Sequence, residues 1–274
     1  MQLDGVMKIF SYPFVQRALI VGVLISFCAA LLGVILVLKR YSLIGHGLAN
    51  VGFTSLSLAL AMQWSPLYVA IPIVVVAAFL IMLLSQRSTS GGDVTIGIVA
   101  TTALAIGSII TSLARGFNID VSSYMFGSIL AMNSQDVMLT MILGVIVILL
   151  FGLFYNRLFL ITYDESYAKS TGVSVTFYQF LISFLTALTV VLGMRMMGTL
   201  LISGLIILPA VTAKNLVNSF KAVVITAGII SVVCFILGIL TSFILNIPTG
   251  PSIVAVNVVV LMLASIFGRV LRRA

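Results

Sequence analysis

Charge is what this sequence has least of: charged residues make up 7% of its 274 positions, and the acids number six. They are Asp4, Asp93, Asp120, Asp136, Asp164 and Glu165. Hydrophobic residues make up 62%, and the mean hydropathy is +1.32. A soluble domain needs far more polar side chains on its water-facing surface, so these proportions exclude one. The chain reads as an integral membrane protein. Hydrocarbon offers backbone groups no partner, which restricts spans to helices or a closed barrel, and long uninterrupted apolar runs lack a barrel's two-residue alternation. The expected fold class is all-α, a polytopic transmembrane helical bundle.

The same shortages exclude chemistry. Every acid lies in a loop or at the end of an apolar run, so no carboxylate sits inside the bundle, where proton- or sodium-driven carriers place their coupling group. Histidine occurs once, at His46, and the histidine pair with glutamate of an intramembrane metalloprotease is absent. One histidine without a buried acid cannot supply nucleophile, base and orienting group, so the chain reads as no enzyme. No glycine-rich loop runs into Lys-Ser or Lys-Thr, so the sequence carries no phosphate loop for ATP. Energy for uphill transport would come from another polypeptide. Cys28 and Cys234 both lie in apolar runs and read as small buried hydrophobes rather than a disulfide or metal ligands.

Base is in excess, 14 Lys and Arg for a net charge of +8, but these residues stand singly or in pairs beside apolar runs. That placement fits membrane topology, not nucleic acid. Nine runs are long enough to cross a bilayer: Val15–Leu38, Leu43–Met62, Pro66–Leu84, Val94–Leu113, Val137–Phe154, Thr176–Gly193, Met197–Ala213, Ala222–Leu245 and Ser252–Gly268. Tyr124–Met132 is too short and reads as a re-entrant or interfacial helix. The first run lacks a small-residue cleavage site and ends at Lys39-Arg40, which predicts a retained anchor. Nine spans put the chain ends on opposite sides. A cytoplasmic C-terminus collects ten basic residues inside and leaves Lys8, Arg17, Arg115 and Arg195 outside, in line with the positive-inside rule.

What is present then stands out. His46 and Asn50 lie one turn apart at the start of an apolar run, where polar groups need a purpose or a partner. The cytoplasmic loop expected over Tyr155–Val175 contains Tyr163–Val173, which reads as a short helix charged on one side and closed by Gly172, either a solvated connector or a docking surface. Ala29 with Gly33, and Gly45 with Ala49, are small residues four apart that let helices approach closely. Pro209 frees a carbonyl near a span end, for Thr212 or water to satisfy, and Asn246–Pro251 reads as a rigid turn.

In order along the chain, the segments Arg40–Leu48, Asp93–Val99, Met125–Ala131, Asp164–Val173, Met197–Ala213 and Ile247–Pro251 resemble the ABC-3 family of permeases. These are membrane subunits of ATP-binding-cassette importers for zinc, manganese or iron. The resemblance covers nearly the whole chain. It implies a single permease domain over residues 1–274 with the type II importer fold, in a bacterial-type cell membrane. It implies as partners a second copy of the chain, cytoplasmic ATPase subunits, an extracytoplasmic metal-binding protein and membrane lipid. It implies a transported divalent metal ion, with no covalently bound cofactor. Asp164, Glu165, Ala168 and Gly172 fall in the region resembling the ATPase-coupling segment. Family members that import zinc or manganese typically carry aspartate where this chain has His46 and histidine where it has Asn50. Here the pair offers an imidazole and a neutral carbonyl, a weaker ligand set or one for a softer metal. A pore-facing or helix-packing histidine without a metal role is the alternative at the site, and a self-sufficient channel or secondary carrier is the alternative function.

Overall fold

The computed structural model describes residues 13–87, 92–113 and 134–271, which form eleven helices and no strand. They are α1 (Pro13–Leu38), α2 (Ile44–Ala61), α3 (Pro66–Arg87), α4 (Gly92–Leu113), α5 (Ser134–Leu153), α6 (Tyr155–Tyr163), α7 (Glu165–Ser170), α8 (Val175–Met197), α9 (Thr199–Leu216), α10 (Phe220–Leu245) and α11 (Thr249–Leu271). Among the described residues eight helices are each long and apolar enough to cross a membrane, and α5 with α6 makes a ninth if that pair is one span. The nine expected runs coincide with α1–α5 and α8–α11. Tyr124–Met132 lies outside the described residues.

The expected loop after α5 is a correction. Residues Tyr155–Tyr163 are helical, turned by 68° from α5 at Phe154. The apolar spacing explains it. Leu158 and Ile161 are buried, while Tyr155, Phe159 and Tyr163, at four-residue steps, all lie against the ring of Phe220 on α10.

α1 and α8 are the most buried spans; α3, α4 and α11 are the least, and they present Tyr68, Leu80, Ile98, Ile109, Val259 and Met262 outward as a lipid-facing surface would. Around α1 the packing is close enough to involve backbone. A Cβ at Gly33 would overlap the Ile206 carbonyl oxygen of α9, so only glycine lets these two helices meet. Hydroxyl groups inside the bundle satisfy themselves locally, as Thr186, Thr189 and Ser203 donate to the carbonyls four residues back. Thr212 does the same toward Leu208, at 2.7 Å. The carbonyl that Pro209 frees is that of Leu205, so Thr212 is not the partner anticipated for it.

Gly33→Ala is expected to destabilise the bundle by about 1–3 kcal/mol, because the added methyl meets backbone that cannot rotate away. Gly152→Ala is the control, since a Cβ there meets nothing within 4 Å. Thermal unfolding in detergent should separate the two; equal midpoints would refute the packing argument.

Candidate functional site

Two of the polar elements among the described residues lie near the end of the bundle where α1 gives way to α2. The first is the start of α2. The sequence Gly45-His46-Gly47 folds so that each glycine faces a neighbouring helix: a Cβ at Gly45 would come within 2.8 Å of Ile206 on α9, and one at Gly47 within 2.9 Å of Ile96 on α4. Both flanks are thus occupied by packing. His46 is left between them on the exposed face, and Asn50 one turn on is 5% exposed.

The two side chains meet, with Asn50 Nδ2 3.3 Å from His46 Nε2. An amide nitrogen only donates, so in this arrangement Nε2 accepts and the ring proton sits on Nδ1. The lone pair engaged is the one a metal ion would use. Coordination at Nε2 therefore requires the amide to leave, and rotation about its last bond would bring Oδ1 in its place as a second ligand. No group of three or more His, Cys, Asp or Glu that could hold a metal ion occurs among the described residues.

Below the pair, Thr54 Oγ1 lies 3.1 Å from the Asn50 carbonyl and also bonds the Ala103 carbonyl of α4. Thr111 of α4 donates to Ser57 of α2 at 3.0 Å. Hydroxyl contacts tie α2 to α4 along its length. Beside them runs an open apolar groove of about 380 Å³, lined by Leu58, Ile73, Ile98 and Ile106 among others.

The second element is α7. Asp164 caps it, accepting a hydrogen bond from the Tyr167 amide at 2.9 Å, which satisfies one of the free donors of its first turn. Ala168 is fully buried and packs with Ile161, Val173 and Val175. Gly172 ends the helix at φ 77°, where the Val173 amide reaches the Ala168 carbonyl and the Gly172 amide that of Lys169. Glu165 branches: Oε2 stands 3.6 Å from Lys39 Nζ, while Oε1 stands 3.5 Å from Lys169 Nζ and accepts from Gln179 Nε2 of α8 at 3.2 Å. Ser166, Tyr167, Lys169 and Ser170 face outward.

Sequence reasoning missed Lys39 and Gln179 as partners of Glu165. The Lys39 side chain is 8% exposed, and burial lowers its pKa from the ordinary lysine value, partly offset by the Glu165 charge. A lysine that follows an apolar span reads as a topology marker, and nothing local announces a carboxylate so distant in sequence. Cys28 and Cys234 are buried and free, as expected of small hydrophobes.

A multi-pass helical bundle is the architecture of a membrane protein, and the fold alone does not say which kind. Comparisons make the class specific. A family profile described as the ABC 3 transport family matches residues 11–268. The manganese transport system membrane protein MntC of Listeria monocytogenes is 29% identical over 265 residues, 97% of this chain and 93% of that protein. The high-affinity zinc uptake system membrane protein ZnuB of Haemophilus influenzae is 29% identical over 252 residues, 92% and 96% of the two chains. PsaBC from Streptococcus pneumoniae, a solved structure, matches with a TM-score of 0.85 at 28% identity, covering 96% of this chain and 95% of that one. The chain belongs to the ABC 3 transport family, and the resemblance drawn from its ordered segments is borne out.

Asp164→Ala removes the cap of α7 and should cost about 1 kcal/mol locally, equivalent to about a fivefold loss of protection. Hydrogen exchange at the Tyr167 amide measures this. Unchanged protection would show that packing at Ala168 alone holds the helix.

Proposed function

We propose that this chain is the permease subunit of an ATP-binding-cassette importer for a divalent transition metal ion of the manganese, zinc or iron class. The carrying observation is the similarity over residues 11–268 together with end-to-end relatives named as manganese and zinc transport membrane proteins. ATP is hydrolysed by a partner, in keeping with a sequence that holds no phosphate loop. In this reading residues 1–274 form one transmembrane permease domain in a bacterial plasma membrane, its C-terminus cytoplasmic, and two copies enclose the path. An extracytoplasmic binding protein delivers the ion.

The cytoplasmic ATPase docks on the outward face of α7, a helix that Asp164, Glu165, Ala168 and Gly172 hold rigid. Rigidity there serves transmission, because a helix that frayed on contact would absorb the partner's motion. On the path stand His46 and Asn50. Both are neutral ligands, so the ion is held weakly and released readily, and selectivity falls mainly to the binding protein. His46 on the exposed face of one chain fits a path lined by two chains, each contributing one pair.

Two outcomes test this. The chain should co-purify with a separately encoded ATPase. His46→Ala should lower metal-stimulated uptake at least about tenfold, the lower range for disturbing a metal site, while Cys28→Ala leaves it near the unaltered rate. Equal effects of the two substitutions would remove His46 from the path.

A further inference from the structure

Among the described residues the Lys39 ammonium has no hydrogen-bond partner, although its side chain is only 8% exposed. A buried charge is retained at a cost unless it is paired, and its one counter-charge within 4 Å among the described residues is Glu165 Oε2 at 3.6 Å. A methionine in its place would fill the same volume without that cost. The pair thus joins two parts of the chain at some expense in stability, and the parts it joins are informative.

On one side Glu165 is the first residue of α7, and its other oxygen is held by Lys169 and by Gln179 of α8. On the other side Lys39 directly follows α1, and a four-residue turn joins it to α2. Arg40 adopts φ 62°, costing a non-glycine residue about 1 to 2 kcal/mol, and is held there by two backbone bonds. The Tyr41 amide donates to the Leu36 carbonyl at 2.8 Å, and the Arg40 amide to that of Val37 at 3.2 Å. The Ile44 amide then reaches the Tyr41 carbonyl, and the Gly47 amide that of Leu43, which continues the bonding into the first turn of α2. His46 sits in that turn. From Glu165 to His46 the connection is one ion pair followed by a turn whose Arg40, Tyr41 and Ile44 amides are hydrogen-bonded and which leads into the first turn of α2.

We propose that Lys39 is a positioning residue for transport: its ion pair with Glu165 transmits displacement of α7 through the Arg40 turn to the first turn of α2 and so to His46. This rests on the reading that an ATPase docks on α7 and that α2 lines the metal path. The neighbouring polar groups favour such a role. Lys169 and Gln179 compete for Oε1 alone, so a movement of α7 that reorients the carboxylate changes its hold on Lys39 without leaving Glu165 unpaired.

The test uses the permease with its ATPase and binding protein in proteoliposomes, reading ATP hydrolysis and uptake of radiolabelled manganese(II) or zinc(II) together. Lys39→Met keeps volume and removes a buried charge, so the complex assembles. Its ATP hydrolysis stays within about twofold, and metal taken up per ATP falls about tenfold, within the usual range of energetic coupling between sites. Lys39→Arg restores most of that ratio. Glu165→Gln, which also disturbs the contacts with Lys169 and Gln179, lowers the ratio less when added to Lys39→Met than it does alone, since the two changes share one link. Hydrolysis and uptake falling in proportion would overturn the proposal in favour of a docking or structural role. An unchanged ratio, or losses that add in the double variant, would overturn it as well. Absence of ATP-dependent uptake by the unsubstituted complex would instead refute the underlying transport reading.

Discussion

Hydrocarbon gives a backbone amide or carbonyl nothing to bond to, and most of this structure follows from that constraint. It forces the spans to be helices, and it forces hydroxyl groups inside them to turn back on their own carbonyls, as Thr186, Thr189, Ser203 and Thr212 do. Because lipid is as apolar as leucine, burial of apolar surface does little to drive helices together, and close packing takes its place. Hence the contact of Gly33 with the Ile206 backbone and of Gly45 and Gly47 with α9 and α4. Among the described residues, two buried side-chain polar atoms are left without a hydrogen-bond partner, Lys39 Nζ and Asn257 Oδ1.

That background gives His46 and Lys39 their meaning. Glycines on both sides fix the start of α2 between two helices, and this same packing turns His46 outward instead of into the bundle. A histidine buried in the core would be a packing group. One on the exposed face, its Nε2 lone pair held only by a neutral amide, is not committed to the core. Lys39 is the opposite case, a charge withdrawn from water whose counter-charge belongs to the capped helix α7.

Much of the fold was legible in the sequence because spans in lipid are read by length and composition alone, and the apolar runs fell on the helices. The helical character of Asp164–Gly172 was legible too, since good formers ended by glycine carry their own stop signal. α6 was not legible as a helix of its own, although Leu158 and Ile161 with aromatics at Tyr155, Phe159 and Tyr163 form a helical period; the segment reads as part of the loop over Tyr155–Val175. The bonds that place the site are long-range. Thr54 reaches Ala103, Lys39 reaches Glu165 and Glu165 reaches Gln179, and no local pattern predicts which helix will be the neighbour. The spacing of His46 and Asn50 was visible, whereas the fact that the amide occupies the ligating nitrogen required coordinates.

The central claim is that this chain forms the path while another polypeptide drives it. Flux of manganese(II) or zinc(II) into vesicles, with this chain alone and with its ATPase and binding protein added, tests that claim most directly. The account predicts concentrative uptake only in the complete complex and only with hydrolysable ATP. Concentrative uptake by the chain alone, indifferent to ATP, would contradict it.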